Sequence, residues 1–125
     1  MASTITTASS AFAADGETAI YTARKPYVEV EVIVADSLKA YPKLYEQLVA
    51  EGKKFGEESE HDTAEQWREH KDFFRDMAHM FDRGYRLQAT AGKYVSVEIS
   101  ESQFTGGAHP NHVSSALLWD EKRDA

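Results

Sequence analysis

Apolar and polar residues alternate from Tyr27 to Val34, a period of two that predicts a half-buried β-strand. One face of this run is formed by four valines: Val28, Val30, Val32 and Val34. The other face carries Glu29 and Glu31, which we interpret as the solvated side of a sheet and not as a catalytic pair. Pro26 stands at the start of the strand, where its missing N–H is tolerated.

Two amphipathic helices are predicted after this strand. In the first, apolar residues recur every three or four positions between Leu38 and Phe55. Asp36 is a candidate N-cap of this helix and Gly56 is its expected end. Residues 57–62 are then an acidic connector.

The second helix is predicted from Thr63 to about Arg83, with Gly84 just beyond its end. Its apolar stripe consists of Trp67, His70, Phe74, Met77, Ala78 and Phe81. We expect this stripe to be core and not a surface on which glycans stack. Within it, His70 is expected to be a neutral, hydrogen-bonded core histidine, with a pH switch as the functional alternative. His79 points to the opposite, solvated side.

Three further strands follow the helices. Residues 85–91 and 94–100 both alternate and are separated by Gly92-Lys93, which predicts a β-hairpin. Residues 113–119 form another strand, so the last three strands are expected to make an antiparallel meander. The order βααβββ predicts a two-layer α+β fold, in which an antiparallel sheet of about four strands carries two helices on one face.

Domain organisation follows from the same patterns. The domain covers residues 26–120, between a tail at residues 1–25 and a polar tail at residues 121–125. Ala11 and Ala13 have the small-residue spacing that signal peptidase accepts, but no basic residue or apolar core precedes them. The first tail is therefore either the remnant of an export signal or a disordered segment. A remnant predicts a periplasmic or extracellular protein.

Composition restricts the partners and the chemistry. With 125 residues the chain fits one domain. Its 21 acidic and 14 basic residues give a net charge of −7, which disfavours binding to nucleic acid or anionic lipid. The absence of cysteine excludes a disulfide scaffold, a thiolate zinc site and a cysteine nucleophile. No apolar run approaches the roughly 20 residues that span a bilayer.

The loop between the last two strands holds the densest group of candidate functional residues. Gly106-Gly107 permits backbone angles that a Cβ forbids, and it can expose successive N–H groups to an anion or a carbonyl oxygen. Pro110 holds His109 extended. We predict here a small binding surface for a carboxylate, an amide or a sugar. Its residues are Thr105, Gly106, Gly107, Ala108, His109 and Asn111. The alternative is a rigid loop in which Gly106, Gly107 and Pro110 only set the geometry.

Catalytic and metal sites are weaker alternatives. His109 and His112 could bind a metal, but zinc needs three or four protein or solvent ligands and the sequence indicates no third residue. A Ser-His-Asp triad can be written from Ser102, His109 and Asp120, but Ser102 lacks a nucleophile-elbow motif. We therefore assign no catalytic residue, metal ligand or cofactor. A small metal-dependent hydrolase using His109 and His112 stays an alternative, as does a purely structural module between domains.

The segment Phe104-Thr-Gly-Gly-Ala-His-Pro110 resembles the extracytoplasmic domain shared by the deacetylase PdaC and the anti-sigma factor RsiV. Members of that family typically read Tyr-Thr-Gly-Gly-Ala-His, so Phe104 lacks a hydroxyl here. The resemblance covers Pro26 to Asp120 and includes the order of strand, helices, hairpin, glycine loop and strand. The family often continues through a turn Asp-x-Lys-x-Gly into a second domain, whereas this chain reads Asp120-Glu-Lys-Arg-Asp-Ala.

What the resemblance implies about function is limited by domain composition. In such deacetylases the chemistry belongs to a separate polysaccharide-deacetylase domain, and in the anti-sigma relatives the extracellular part recognises lysozyme. The resemblance therefore implies a non-catalytic, exported domain in a sensory or accessory role. Its expected ligand is a wall glycan or a protein of the cell envelope, its expected partners include no nucleic acid, and fusion to a following domain is possible.

Overall fold

The computed structural model describes residues 16–74, 77–106 and 111–123. Their strands are β1 (Glu17–Lys25), β2 (Val28–Ala35), β3 (His79–Ala91), β4 (Tyr94–Phe104) and β5 (Asn111–Asp120). One long helix, α1, spans Pro42–Glu69, with short 3-10 turns at Asp36–Ala40 and Lys71–Phe74. The fold class is α+β, as predicted, but five strands form the sheet and these segments contain one main helix.

The strands lie side by side in chain order, β1-β2-β3-β4-β5. β3, β4 and β5 form the predicted antiparallel meander, and β1 is antiparallel to β2. β2 and β3 are parallel, so the prediction of a wholly antiparallel sheet is wrong at this pair. The cause is α1, because a helix between two neighbouring strands returns the chain to the end of the sheet where the first strand began.

β1 corrects the assignment of residues 1–25 to a tail, because Glu17–Lys25 forms an edge strand of the sheet. The pairing register shifts once within β1, and the adjacent residues Ile20 and Tyr21 both pack against the core. Such a bulge removes the strict alternation by which a strand is recognised in a sequence. The rest of the predicted tail, residues 1–15, lies outside the described residues.

A single helix replaces most of the two that the sequence predicts. α1 is continuous through Gly56 and through residues 57–62, so neither a helix end nor a connector exists there. Pro42 occupies its first turn, where a missing N–H costs nothing because that N–H has no partner in the helix. Within the described part of the chain, no helix has the length and apolar composition needed to cross a bilayer.

Gly52 and Gly56 mark where α1 approaches the sheet most closely. Both are buried. A Cβ on Gly52 would lie 2.8 Å from side-chain carbons of Ile20 and Val32, and one on Gly56 would collide with the ring of Tyr21. The glycines therefore serve packing and not helix termination, because only a residue without a Cβ fits there.

The second predicted helix is wrong beyond Glu69. Residues 63–69 are the last turns of α1, and the chain is a strand from His79 onward. Gly84, the predicted helix end, lies inside β3 and pairs with Ser100 of β4. The residues of β3 fit both a helical stripe and a period of two, and tertiary pairing with the eleven-residue β4 decided for the strand.

The core lies between α1 and one face of the sheet. The four-valine face predicted for β2 is buried, as expected. The other buried core residues are Ala35, Leu38, Leu44, Leu48, Tyr85, Val95, Val97 and Trp119. The opposite sheet face carries Glu29 and Glu31 and lies away from α1; we call it the open face.

Candidate functional site

The predicted binding loop connects β4 to β5 at the end of the sheet where β3 begins, because Phe104 pairs with Met80. Thr105 and Gly106 are exposed, and Gly106 has a φ of +93°, a conformation that favours glycine. Asn111 opens β5 and pairs with Gln103. Gly107, Ala108 and His109, the other predicted ligand-binding residues, lie outside the described residues.

Thr105 of this loop lines a cleft of about 350 Å³, which we call the helix-side cleft. Its lining from α1 consists of Phe55, Glu58, Ser59, Asp62, Thr63 and Gln66. Its lining from the sheet and the loop consists of His79, Phe81, Gln103 and Thr105. Thr105 is thus the predicted site residue that the fold brings into a cavity with other polar groups.

The geometry of the two elements explains why these residues meet. Positions three and four apart share one face of a helix, so Glu58, Asp62 and Gln66 project from the same side of α1. Alternate residues of a strand share one face, and Phe81 pairs directly with Gln103 across β3 and β4. Sequence reasoning missed this cleft because it divided α1 at Gly56 and continued a helix through β3.

His79 is a buried residue of this cleft lining. Its side chain is 6% exposed, and its ring stacks on Phe74 with centroids 4.0 Å apart. Neither ring nitrogen has a hydrogen-bond partner in the described part of the molecule. Burial lowers the pKa of His79, because the charged imidazolium is poorly solvated there. Burial therefore favours the neutral imidazole.

The two histidines of this region exchange their expected places. His70, predicted to lie in the core, is the exposed residue that ends α1, and its N–H donates to the Gln66 carbonyl oxygen at 2.7 Å. His79, predicted to be solvated, is buried. The reason is that His79 starts β3 on the face that carries Phe81 and Tyr85. The even spacing of these three residues was the signal in the sequence that could have placed His79 in the core.

Trp67 joins the end of α1 to the turn between β1 and β2. Its ring stacks on Tyr27 with centroids 5.0 Å apart, and the Lys71 ammonium lies 4.4 Å from the Trp67 centroid. Trp67 is only partly buried, so it belongs to the edge of the packed region and not to its centre.

A polar network stiffens the wall of the cleft next to Phe55. The guanidinium of Arg83 donates to Glu101 at 2.6 Å, to Glu51 at 2.9 Å and to the Tyr85 hydroxyl oxygen at 2.8 Å. The Tyr85 hydroxyl in turn donates to Glu51, and burial is the main cause that raises the pKa of Tyr85. Arg83 also lies 5.0 Å from the ring centroid of Phe55, so the network holds a lining residue in position.

A second concavity, the open-face groove, lies on the other side of the sheet and has a volume of about 450 Å³. Its lining includes the small cross-strand pair Gly84 and Ser100. Its remaining lining residues are Glu31, Ile33, Asp82, Arg83, Glu98, Glu101, Ser102, His112, Val113 and Ser114. Burial, followed by the nearby charges of Glu31 and Glu29, raises the pKa of Asp82.

The geometry tests one of the two hydrolytic alternatives, the triad, whereas the metal site of His109 and His112 stays a prediction. No three His, Asp or Glu side chains within the described ranges are grouped so that they could hold a metal ion, and His109 lies outside those ranges. Ser102 pairs with His112 while Asp120 pairs with Tyr94, so Ser102 and Asp120 stand at opposite ends of the β4–β5 ladder. At about 3.3 Å per residue that separation is far too long for a triad.

Comparisons with known proteins give a family and two solved structures with partial similarity. A family model described as "Deacetylase PdaC" matches residues 13–112, a range that includes β1. The sequence matches none of the curated proteins. A DUF3298 family protein from Pseudomonas aeruginosa PAO1 matches in structure with a TM-score of 0.47 and 14% identity, over 88% of this chain and 50% of that chain. A DUF3298 member from Bacteroides fragilis NCTC 9343 matches with a TM-score of 0.39 and 15% sequence identity, over 77% of this chain and 47% of that chain. The chain thus spans about half the length of these proteins.

Proposed function

We propose, because this chain belongs to the family described as Deacetylase PdaC, that it is a non-catalytic ligand-binding domain of the bacterial cell envelope. Its ligand is a wall glycan, which binds in the helix-side cleft. The domain acts outside the cytoplasm, in keeping with the family and with the spacing of Ala11 and Ala13. Its role in a longer protein is accessory or sensory, and any deacetylation is carried out elsewhere.

The observation that carries this proposal is the chemistry of the cleft beside the predicted loop. Glycans are bound by hydroxyl, amide and carboxylate groups that hydrogen-bond sugar hydroxyls, together with aromatic rings that pack on the apolar face of the sugar. The cleft combines Thr105 and Gln66 with the carboxylate of Asp62 and the rings of Phe55 and Phe81. Its volume of about 350 Å³ is within the range of small-ligand sites.

Calorimetric titration with soluble peptidoglycan fragments tests the proposal. The chain offers a matched pair of variants on α1: Gln66 lines the cleft, whereas Gln47 is exposed and lies outside it. Loss of one hydrogen bond of about 1 kcal/mol predicts about fivefold weaker binding for Gln66→Ala. Gln47→Ala should bind like the unaltered protein. Equal affinity of both variants would move the ligand away from this cleft, and no binding by the unaltered protein would refute the proposed function.

A protein ligand on the open face is the second candidate, and a specific observation favours it. Glu31 and Asp82 stand directly opposite each other on β2 and β3, and no ion pair joins either of them to a basic side chain of the described segments. A basic protein would neutralise these charges, and lysozyme is the obvious probe. Binding that weakens in a Glu31→Gln variant and with rising salt would support this surface, whereas indifference to both would exclude it.

A further inference from the structure

His79 is a polar side chain in the helix-side cleft that the described residues leave without a partner. Only 6% of its surface is exposed, and both its ring nitrogens lack a hydrogen bond within those residues. Buried side-chain nitrogens in folded proteins are nearly always hydrogen-bonded. Exceptions to such rules concentrate at functional sites, where a ligand supplies what the protein does not.

The surroundings of His79 restrict the chemistry of such a ligand. None of the described residues that line the cleft is a lysine or arginine, so these residues offer an anion no countercharge. The carboxylates of Glu58 and Asp62 accept hydrogen bonds and therefore favour a ligand rich in hydroxyl donors. The rings of Phe55 and Phe81 favour a ligand that also has an apolar face. A sugar ring has both properties.

We propose that His79 binds a hydroxyl group of an uncharged sugar unit and thereby determines specificity in the helix-side cleft. This inference rests on the proposed function, because it specifies the anchoring residue and the ligand class within the same cleft. A neutral imidazole offers one donor and one acceptor, which is the pairing that a hydroxyl group can use. Burial favours this neutral form, because it lowers the pKa of His79.

Both ring nitrogens are buried, so binding requires that the ring turn until a nitrogen meets the ligand, and the stacking on Phe74 allows such a turn. The rings of Phe74 and His79 lie 16° from parallel. A half-turn about χ2 leaves the imidazole in the same plane and exchanges Nδ1 with Cδ2 and Nε2 with Cε1. The turn can therefore place a nitrogen where a ring carbon lies, without disturbing the stack.

The test is a nuclear magnetic resonance titration of the full chain with chitotriose, an uncharged trisaccharide of N-acetylglucosamine, with the imidazole nitrogens labelled. The His79 nitrogen signals should shift on saturation, and those of the exposed His61 should not. His79→Phe keeps a ring against Phe74 but has no nitrogen, and should bind about tenfold more weakly. His79→Gln restores a polar group and should recover part of the affinity. His61→Phe is the matched control and should bind normally.

The outcomes separate this inference from the proposed function. Undiminished chitotriose binding by folded His79→Phe and His79→Gln variants would overturn the role of His79 and leave the cleft as a glycan site. Tighter binding of the cationic glucosamine trisaccharide would overturn the assignment of an uncharged ligand, because the carboxylates would then dominate. If the unaltered protein binds neither chitotriose nor peptidoglycan fragments, the proposed function fails and the inference fails with it. Thermal melting verifies that each variant is folded.

Discussion

The ring of Phe74 covers the imidazole of His79, with centroids 4.0 Å apart and planes inclined by 16°. This contact fastens the 3-10 turn after α1 to the first residue of β3. The His79 backbone N–H also donates to the Tyr27 carbonyl oxygen at 2.9 Å, which connects the same residue to the turn between β1 and β2. A titratable ring is therefore buried where three elements of the fold meet.

Stability should fall in mild acid because of His79. The unfolded chain protonates this histidine near its ordinary pKa of about 6.5, whereas the folded protein resists protonation because the pKa is lowered by burial. The stability contributed by His79 is thus fully present above pH 6.5 and is lost as the pH falls towards the lowered pKa. The slope for one proton is at most about 1.4 kcal/mol per pH unit.

Denaturant unfolding of the unaltered protein and of His79→Phe between neutral and mildly acidic pH measures this effect. The difference in unfolding free energy should move in favour of His79→Phe as the pH decreases through this window. Glu58 and Asp62, which line the same cleft, are common to both proteins. Parallel curves for His79→Phe would show that the buried ring is protonated without cost, contrary to the prediction.

Gly56→Ala should destabilise the protein, although alanine is the better helix former. In a solvent-exposed helix position this change gains about 1 kcal/mol. Here the added Cβ collides with the ring of Tyr21, whose hydroxyl donates to Glu60 and so restricts its movement. Overpacking of a filled core costs typically 1–3 kcal/mol, so we expect a net loss of roughly 1 kcal/mol.

A double-variant cycle verifies the cause of that loss. With Tyr21→Val the ring is absent, and Gly56→Ala should then raise the free energy of unfolding, since only the helix propensity remains. A coupling energy near zero between positions 21 and 56 would mean that the close approach of α1 to β1 is not what requires the glycine.

Asp82→Asn should stabilise the protein at pH 7. The pKa of Asp82 is raised by burial and by Glu31 and Glu29, so its charged form is less favourable in the folded than in the unfolded state. The cost is present above the raised pKa and disappears as the carboxyl is protonated in acid. Like charges opposite each other in a sheet cost about 0.2–1 kcal/mol, so a gain of that size is expected at neutral pH and none near pH 3.

Glu98→Gln is the matched control, because Glu98 lines the same open-face groove but has a partner. The Arg86 guanidinium donates to it at 2.5 Å and is the main cause that lowers the pKa of Glu98. The stability from this pair is present above the ordinary glutamate pKa and is lost in acid, so Glu98→Gln should destabilise at pH 7. If both variants changed stability in the same direction, local charge would not explain the effect.

Several features of the fold could be predicted because their signals are local. The alternation around Val28–Val34 requires only that neighbouring side chains point to opposite faces, and the buried valines confirm it. The hairpin around Gly92-Lys93 was equally predictable from the sequence, and Gly92 has the positive φ of +58° that such a turn requires. The glycine loop between β4 and β5 was located from its composition, and its role as a binding surface stays a prediction.

The candidate site depends on contacts that no local pattern reports. His79 and Thr63 are sixteen positions apart and Gln66 and Gln103 thirty-seven, yet all four line one cleft. Whether residues 79–83 form helix or strand depends on the partner strand, because their apolar positions suit both periods. Once β4 pairs with them, His79 faces the core and His70 is left outside.

The sequence by itself determined the α+β class, the meander, the buried valine face and the place of the glycine loop, since each arises from neighbours along the chain. Tertiary structure alone decided that Gly52 and Gly56 lie within one unbroken helix, that Glu17–Lys25 completes the sheet, and that His79 is buried beside the loop. The physical reason is that burial and pairing are properties of two surfaces together. A residue's own sequence neighbourhood specifies only one of those surfaces.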